Sequence, residues 1–241
     1  MKKNYFFLLL FFLCLHMITT AQLSCISYTN PRNVNCLEVE GDYFWFGTQG
    51  GLYKYHKNGT LLAIYDINNG LINNTVHDIK KDDISGAIWV ATEGGLSKLD
   101  GVTWTSYTVA DGLISGDIRS IAIDSQNNLW IGEYLGGVSK FDGNSFTNYA
   151  FSNGFFSQYP SCIKTDVQNN IWVGTFDGLT IFNGTSWTNY TTTDGLVGNF
   201  IESITIDPQG NKWIGTSDGL SKFDGSAFTN YTSLDGLVTN Y

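Results

Sequence analysis

An all-β fold built from five copies of one four-stranded unit is predicted by three observations. The chain repeats itself: residues 211–225 read NKWIGTSDGLSKFDG, 170–184 NIWVGTFDGLTIFNG, 128–143 NLWIGEYLGGVSKFDG and 87–101 AIWVATEGGLSKLDG, with a worn copy, YFWFGTQGGLYKYHKNG, at 43–59. The tryptophans anchoring these copies, Trp45, Trp89, Trp130, Trp172 and Trp213, recur at intervals of 44, 41, 42 and 41 residues. Short β-branched runs in each unit are cut by Asp-Gly and Asn-Gly pairs, the strongest short-range hairpin signal. Fixed-period self-similarity means stacked copies of one supersecondary unit. Four antiparallel strands in each unit of roughly 40–45 residues make the blade of a β-propeller. No unit holds a stretch of helical periodicity between its glycines, which argues against a helical repeat.

The last unit shows the elements in order. In 200–207, Ile201, Ser203, Thr205 and Asp207 alternate with Glu202, Ile204 and Ile206, the pattern of a half-buried strand. Asp207-Pro-Gln-Gly-Asn211 then turns the chain, and 212–216 is the second strand. Asp218-Gly219, a strand at 220–223, Asp224-Gly225 and a strand at 227–232 complete the unit. The turn-opening aspartate is assigned to Asp83, Asp124, Asp166 and Asp207, where it accepts backbone N–H groups while Asn or Gly supplies positive φ. One carboxylate per turn falls short of a calcium site, so no metal or other cofactor is assigned. The extra residues lie between Leu52 and Tyr65, between Tyr65 and Trp89, and in 133–137, at or near turns where insertions are tolerated. The repeating Trp, with Trp104, Phe146, Trp187 and Phe228 of the fourth strands, is read as the packing layer between blades.

The run W-[IV]-G-T-x-x-G-L-x-x-F-[DN]-G, followed by W/F-T-N-Y-T and D-G-L, resembles the two-component regulator propeller repeat over about residues 35–241. The resemblance implies the periplasmic ligand-binding sensor region of hybrid two-component systems. It also implies a small-molecule or oligosaccharide ligand and a downstream histidine kinase module as partners. The propeller of the streptogramin-inactivating lyases is similar too and gives an enzymatic alternative. That chemistry relies on a histidine and acidic residues with a divalent metal, and no histidine follows His77 here. A secreted protein–protein scaffold is the third reading.

Residues 1–21 have the layout of a signal peptide: Lys2 and Lys3, an apolar run from Tyr5 to Leu15, and Thr19-Thr20-Ala21 before a cleavage point after Ala21. The apolar run is too short for a membrane span, so a periplasmic or secreted location is expected. Cleavage removes two lysines and no acids, taking the formal charge from −9 to −11. So acidic a chain has little of the Lys and Arg that nucleic acid or an anionic membrane would demand. In an oxidising compartment Cys25 and Cys36 can pair, leaving Cys162 as a buried thiol on a first strand.

Domain organisation follows as a signal peptide (1–21), an N-terminal segment with a closure-type strand (22–34) and repeats at about 35–74, 75–116, 117–158, 159–199 and 200–241. The segment Ile26-Ser27-Tyr28-Thr29 resembles a fourth-strand ending, and Tyr241 stands where another first strand would begin. The ring is therefore expected to be incomplete. A closed five-bladed ring with a redundant strand is the alternative.

Binding residues are sought where units differ on one face, on the turns between second and third strands and on the links between blades. These turns offer Glu93, Glu133, Tyr134, Phe176, Asp177 and Asp218. The aromatics can stack on a sugar ring and the acids can accept hydroxyl hydrogens. The extra residue in 133–137 makes that turn the first choice, and of Phe155-Phe156 one ring is expected at the surface. No catalytic residue is assigned. His56 and His77 stand as isolated histidines, and no nucleophile elbow, zinc or phosphate-loop motif occurs.

Overall fold

The computed structural model describes residues 33–153 and 155–240. The leader, Cys25 and the segment 26–29 lie outside the described residues. Five four-stranded sheets follow one another. The first holds β1 (Val34–Glu40), β2 (Tyr43–Thr48), β3 (Gly51–His56) and β4 (Leu61–Tyr65). The second holds β5 (Val76–Lys81), β6 (Ile88–Thr92), β7 (Gly95–Asp100) and β8 (Thr103–Tyr107). The third holds β9 (Ile118–Ile123), β10 (Leu129–Glu133), β11 (Gly137–Phe141) and β12 (Phe146–Ala150). The fourth holds β13 (Pro160–Thr165), β14 (Ile171–Thr175), β15 (Leu179–Phe182) and β16 (Trp187–Tyr190). The fifth holds β17 (Ile201–Ile206), β18 (Lys212–Thr216), β19 (Gly219–Phe223) and β20 (Phe228–Tyr231). Every sheet is an antiparallel meander in chain order.

The first strands β1, β5, β9, β13 and β17 pack side by side in that sequence, so the sheets fan around a shared axis as propeller blades. Among the described residues no comparable contact joins β17 to β1, and the blades form an open arc. The trailing face of the fifth blade shows this directly: Ser203 and Thr205 are exposed where their counterparts Ser120 and Ala122 are buried.

The core lies between sheets rather than within them. Each interface has its own cluster, such as Trp45 with Ile79, Val90 and Leu99, or Trp130 with Ile163, Ile171 and Val173. The anchoring Trp of each of the first four blades meets an aromatic or leucine on the third strand of the following blade: Trp45 packs with Leu99, and Trp89 lies 6.0 Å from Phe141, Trp130 5.6 Å from Phe182 and Trp172 5.8 Å from Phe223, ring centre to ring centre. The fourth-strand aromatics extend the layer, with Trp104 5.3 Å from Tyr65 and Trp187 5.4 Å from Tyr149. The glycine of the W-[IV]-G-T motif permits this closeness. A Cβ on Gly174 would meet Ile201 Cγ2 and Cys162 Sγ, each at 2.6 Å.

In the third, fourth and fifth blades the turn-opening aspartate locks the Trp in place. Asp124 accepts from the backbone N–H of Gln126 and Asn128, from Asn128 Nδ2 and from Trp130 Nε1 at 2.9 Å. Asp166 and Asp207 repeat the pattern with Trp172 and Trp213, and Glu40 substitutes for them at Trp45. The Asn211 side chain foremost, with the Trp213 indole and neighbouring N–H groups, holds the Asp207 carboxyl down to about 2. Asn127 and Asn169 take positive φ in these turns, where the fifth blade has Gly210. The second blade corrects the sequence assignment. Asp82, not Asp83, opens the turn: it accepts from Ile84 and Ser85 and is 4 % exposed. Asp83 points outward to an ion pair with Lys81. The extra residue between Tyr65 and Trp89 sits in this turn, which is why the assignment slipped by one.

One interface carries a buried charge. Lys212 stands where the other units have Phe44, Ile88, Leu129 and Ile171, with Nζ 3.4 Å from Asp166 and 4.8 Å from the Trp172 ring centre. Two outcomes follow. Asp82→Ala lowers unfolding free energy by about 1–2 kcal/mol while Asp83→Ala stays within about 0.5 kcal/mol, because only the former removes a buried carboxylate on which the turn's hydrogen bonds converge; urea denaturation of the two variants measures the contrast, and equal effects would return the turn to Asp83. Lys212→Ile, which restores the apolar residue of the repeat, leaves stability unchanged or raises it by about 1 kcal/mol, read by the same titration.

Candidate ligand-binding mouth

Each first strand begins with a β-bulge. The register shifts between Val34 and Cys36, Val76 and Asp78, Pro160 and Cys162, and Ile201 and Ser203, with the matching shift at Gly132/Glu133 opposite β9. A bulge re-aims the extra side chain out of the pleat. The re-aimed residues are Asn35, His77, Arg119, Ser161 and Glu202. Asn35 donates to Val76 O and Ser161 to Ile201 O, so these side chains reach across to the next blade at the end of the axis where the strands start.

The turns between second and third strands converge on the same end. Glu93 N–H donates to Thr75 O, Tyr134 to Asp117 O, Phe176 to Tyr159 O and Ser217 to Phe200 O. Turn and link are thus stitched together in four successive blades, and their side chains form one rim with the bulge residues.

The rim has a polar and an aromatic side. On the polar side, His77 Nε2 lies 3.5 Å from Glu93 Oε1 and 3.8 Å from Asp117 Oδ1, and Arg119 Nη2 donates to Asp117 Oδ2 at 2.6 Å. Burial foremost, then the Arg119 guanidinium, pulls the His77 imidazole below its ordinary range and keeps it neutral at pH 7. His77 Nε2, Asp117 Oδ1 and Arg119 Nε are buried without a hydrogen-bond partner. The Arg119 guanidinium carbon sits 4.8 Å from the Tyr134 ring centre and so joins the two sides. On the aromatic side Tyr134, Tyr159, Phe176 and Phe200 run on in sequence, with centroid spacings of 5.4 Å, 5.8 Å and 4.2 Å. Phe200, at the end of the row, is 38 % exposed.

Of the residues singled out in the sequence, Glu93, Tyr134 and Phe176 come together on this rim. Asp177 and Asp218 are exposed beside it and are engaged by the hydroxyls of Ser157 and Ser217. Glu133, expected as a surface acceptor for hydroxyl groups, is 0 % exposed and turns inward. Phe155 is buried against Trp187 at 4.9 Å, and its neighbour Phe156 is half-buried. His77, set aside as an isolated histidine, has Glu93 and Asp117 beside it. Sequence reasoning missed Asp117, Arg119, Tyr159 and Phe200. The available signal was variation at the bulge (Asn, His, Arg, Ser, Glu) against a constant background. Among the described residues no group of three His, Cys, Asp or Glu side chains could hold a metal ion, and no helix is long and apolar enough to cross a membrane. Among the described residues Cys36 and Cys162 form no disulfide, and Cys162 is buried; the expected partner of Cys36, Cys25, lies outside them.

Comparison with known proteins agrees with this architecture. Residues 112–134 match the family described as two component regulator propeller. No curated protein matches the chain. Among solved structures it is similar to the extracellular domain of BT4673 of B. thetaiotaomicron, assigned to a one component system, at 20 % identity and a TM-score of 0.71, covering 84 % of this chain and 31 % of that one. It is similar to the extracellular domain of BT3049 of the same organism, assigned to a hybrid two component system, at 22 % identity and a TM-score of 0.63, covering 90 % of this chain and 36 % of that one. The chain thus spans about a third of those proteins. A streptogramin B lyase shares the fold at 14 % identity and a TM-score of 0.69, covering 86 % of this chain and 71 % of that one. Residues 112–134 thus match the two component regulator propeller repeat, and the fold of the chain is that of a β-propeller.

Proposed function

We propose that this is the ligand-binding propeller of an exported sensor, that it binds without catalysis, and that its ligand is a neutral oligosaccharide held at the mouth formed by blades two to five. The supporting observation is the two-sided rim. Its polar side offers acceptors (Glu93, Asp117) and donors (Arg119, neutral His77) within one patch, the mixture that hydroxyl groups satisfy because each can both donate and accept. Its aromatic side offers Tyr134 and Phe200 to the apolar face of a sugar ring. Carboxylates at or beside the rim (Glu93, Asp117, Asp177, Glu202, Asp218) outnumber Arg119, which is itself paired with Asp117, and this disfavours an anionic ligand. The extracellular placement of the similar domains supports a periplasmic or secreted location, and their sensor assignments support coupling to a downstream histidine kinase module. Residues 1–21 are the proposed signal peptide and the repeat boundaries given above the proposed units.

Calorimetric titration against a panel of neutral oligosaccharides tests the reading. At least one binds, and Tyr134→Ala and Phe200→Ala each weaken it about tenfold, the worth of one aromatic contact. A panel without a binder, or binding indifferent to both substitutions, overturns it. In a proton NMR titration His77 gives a midpoint below the ordinary value of about 6.5. A midpoint above that value would mean the imidazole is charged in the mouth and the donor–acceptor assignment is wrong.

A further inference from the structure

One position breaks the repeat at the edge of the mouth. The last residue of the second strand is Thr48, Thr92, Thr175 and Thr216 in four blades and Glu133 in the third. Each threonine hydroxyl closes its own turn, donating to the carbonyl of Gly51, Gly95, Gly178 or Gly219. Glu133 reaches instead to the incoming link, where Ser115 N–H donates to Oε2 and Ile114 N–H also points at the carboxyl. The turn it leaves contains the extra residue, with Leu135 at a φ of 62°. Glu133 Oε1 is buried and has no hydrogen-bond partner.

The surrounding bonds decide what Oε1 needs. In the second and fifth blades the link N–H of Ile72 or Val197 donates to the hydroxyl oxygen of Ser97 or Ser221. In the third blade Glu133 has taken the equivalent Ile114 N–H, which frees the Ser139 oxygen. Asn148 Nδ2 donates to Gly112 O at 3.0 Å, which fixes the amide so that its Oδ1 faces Ser139. Ser139 therefore gives its proton to Asn148 Oδ1, at 2.8 Å. The Ser139 hydroxyl also lies beside the Glu133 carboxyl, and with its proton given to Asn148 Oδ1 it turns only its oxygen toward Glu133. A carboxylate here is an acceptor facing an acceptor. A carboxylic acid supplies the missing donor.

We propose that Glu133 is a positioning residue of the mouth that works as a neutral acid: its proton bonds Ser139, its oxygens hold the Ile114–Ser115 link, and together these fix the turn that presents Tyr134 beside Asp117 and Arg119. Burial foremost pushes this carboxyl up to about 7. The native state therefore takes up a proton above the ordinary carboxylate range. The stabilisation it brings is full at low pH and is lost as pH rises through about 7. The charged residues on the elements packed around it are Asp111 and Asp117 in the link, Arg119 on β9, Lys140 on β11 and Lys164 on β13. None of them forms an ion pair with it among the described residues.

Hydrogen exchange of the whole chain, read by mass spectrometry and corrected for intrinsic rates, tests this without a ligand. In the wild type, protection of 112–118 falls about tenfold between pH 6 and pH 8, the equivalent of one pKa unit. Glu133→Gln keeps a donor for Ser139 and an acceptor for the link, so it holds its protection across that range. Glu133→Thr, the residue of the other blades, is independent of pH at lower protection of 112–118. Identical pH profiles for wild type and Glu133→Gln overturn the proposal, as does loss of protection in Glu133→Gln at every pH. The consequence for binding rests on the mouth being the ligand surface. The exchange result does not, so the two readings fail separately.

Discussion

Everything in this molecule depends on one face of each blade being shaped to receive the next. A four-stranded sheet of this size cannot bury its apolar residues alone. Here the Trp face of each of the first four blades closes on the Ile, Val and Leu face of its successor, and the cluster at each of the four interfaces is shared by two units. The conserved spacing of the repeat is the spacing of that contact. Gly174 is small because Ile201 of the following blade sits where its side chain would be, and Asp166 is fixed because it holds the Trp172 indole square to the interface. Stability is therefore a property of pairs of blades, as in other quasi-repetitive folds.

That constraint also places recognition. The blade faces are committed to packing and the outer strands mainly to solvent, so variation without structural cost is left to the two ends of the axis. At one end the bulge of each first strand turns a side chain out of the ladder, and the turns and links meet it there. A bulged residue makes few of the contacts that define the interface. It is accordingly free to be Asn35, His77, Arg119, Ser161 or Glu202 in successive blades. The polar-to-aromatic gradient around the rim is built from two bulge residues, His77 and Arg119, together with residues of the turns and links.

The same division explains what was legible in the sequence. The strands of the fifth blade were readable almost to the residue, because Asp-Gly turns and the alternation in 201–206 are local signals. The interblade role of the tryptophans was readable because it recurs. The opening aspartate of the second blade was misplaced by one, since Asp82 and Asp83 are chemically identical and only the hydrogen bonds distinguish them. Half of the mouth was invisible. Asp117, Tyr159 and Phe200 lie on links with no pattern of their own, and they meet Glu93, Tyr134 and Phe176 only through the bulge and the backbone bonds between turn and link. A linear sequence shows that units differ at a place. It does not show that places in four different units are neighbours.

Departures from a repeat differ in kind, and two buried ionisable residues in this chain show how. Lys212 replaces an apolar residue at an interface and finds a carboxylate already there, because Asp166 is present in the repeat for another purpose. The scaffold absorbs the change through an existing partner, and nothing at the mouth depends on it. Glu133 replaces a threonine that closes its own turn. It finds no cation among the described residues, takes two N–H groups from a neighbouring link and leaves one oxygen without a donor. Burying an unpaired carboxylate is costly, and the usual relief is protonation. The cost falls at the one turn that carries an additional residue and an aromatic of the rim. A residue kept for packing alone would have remained threonine, as in the other four blades, and this separates a tolerated substitution from one that shapes a site.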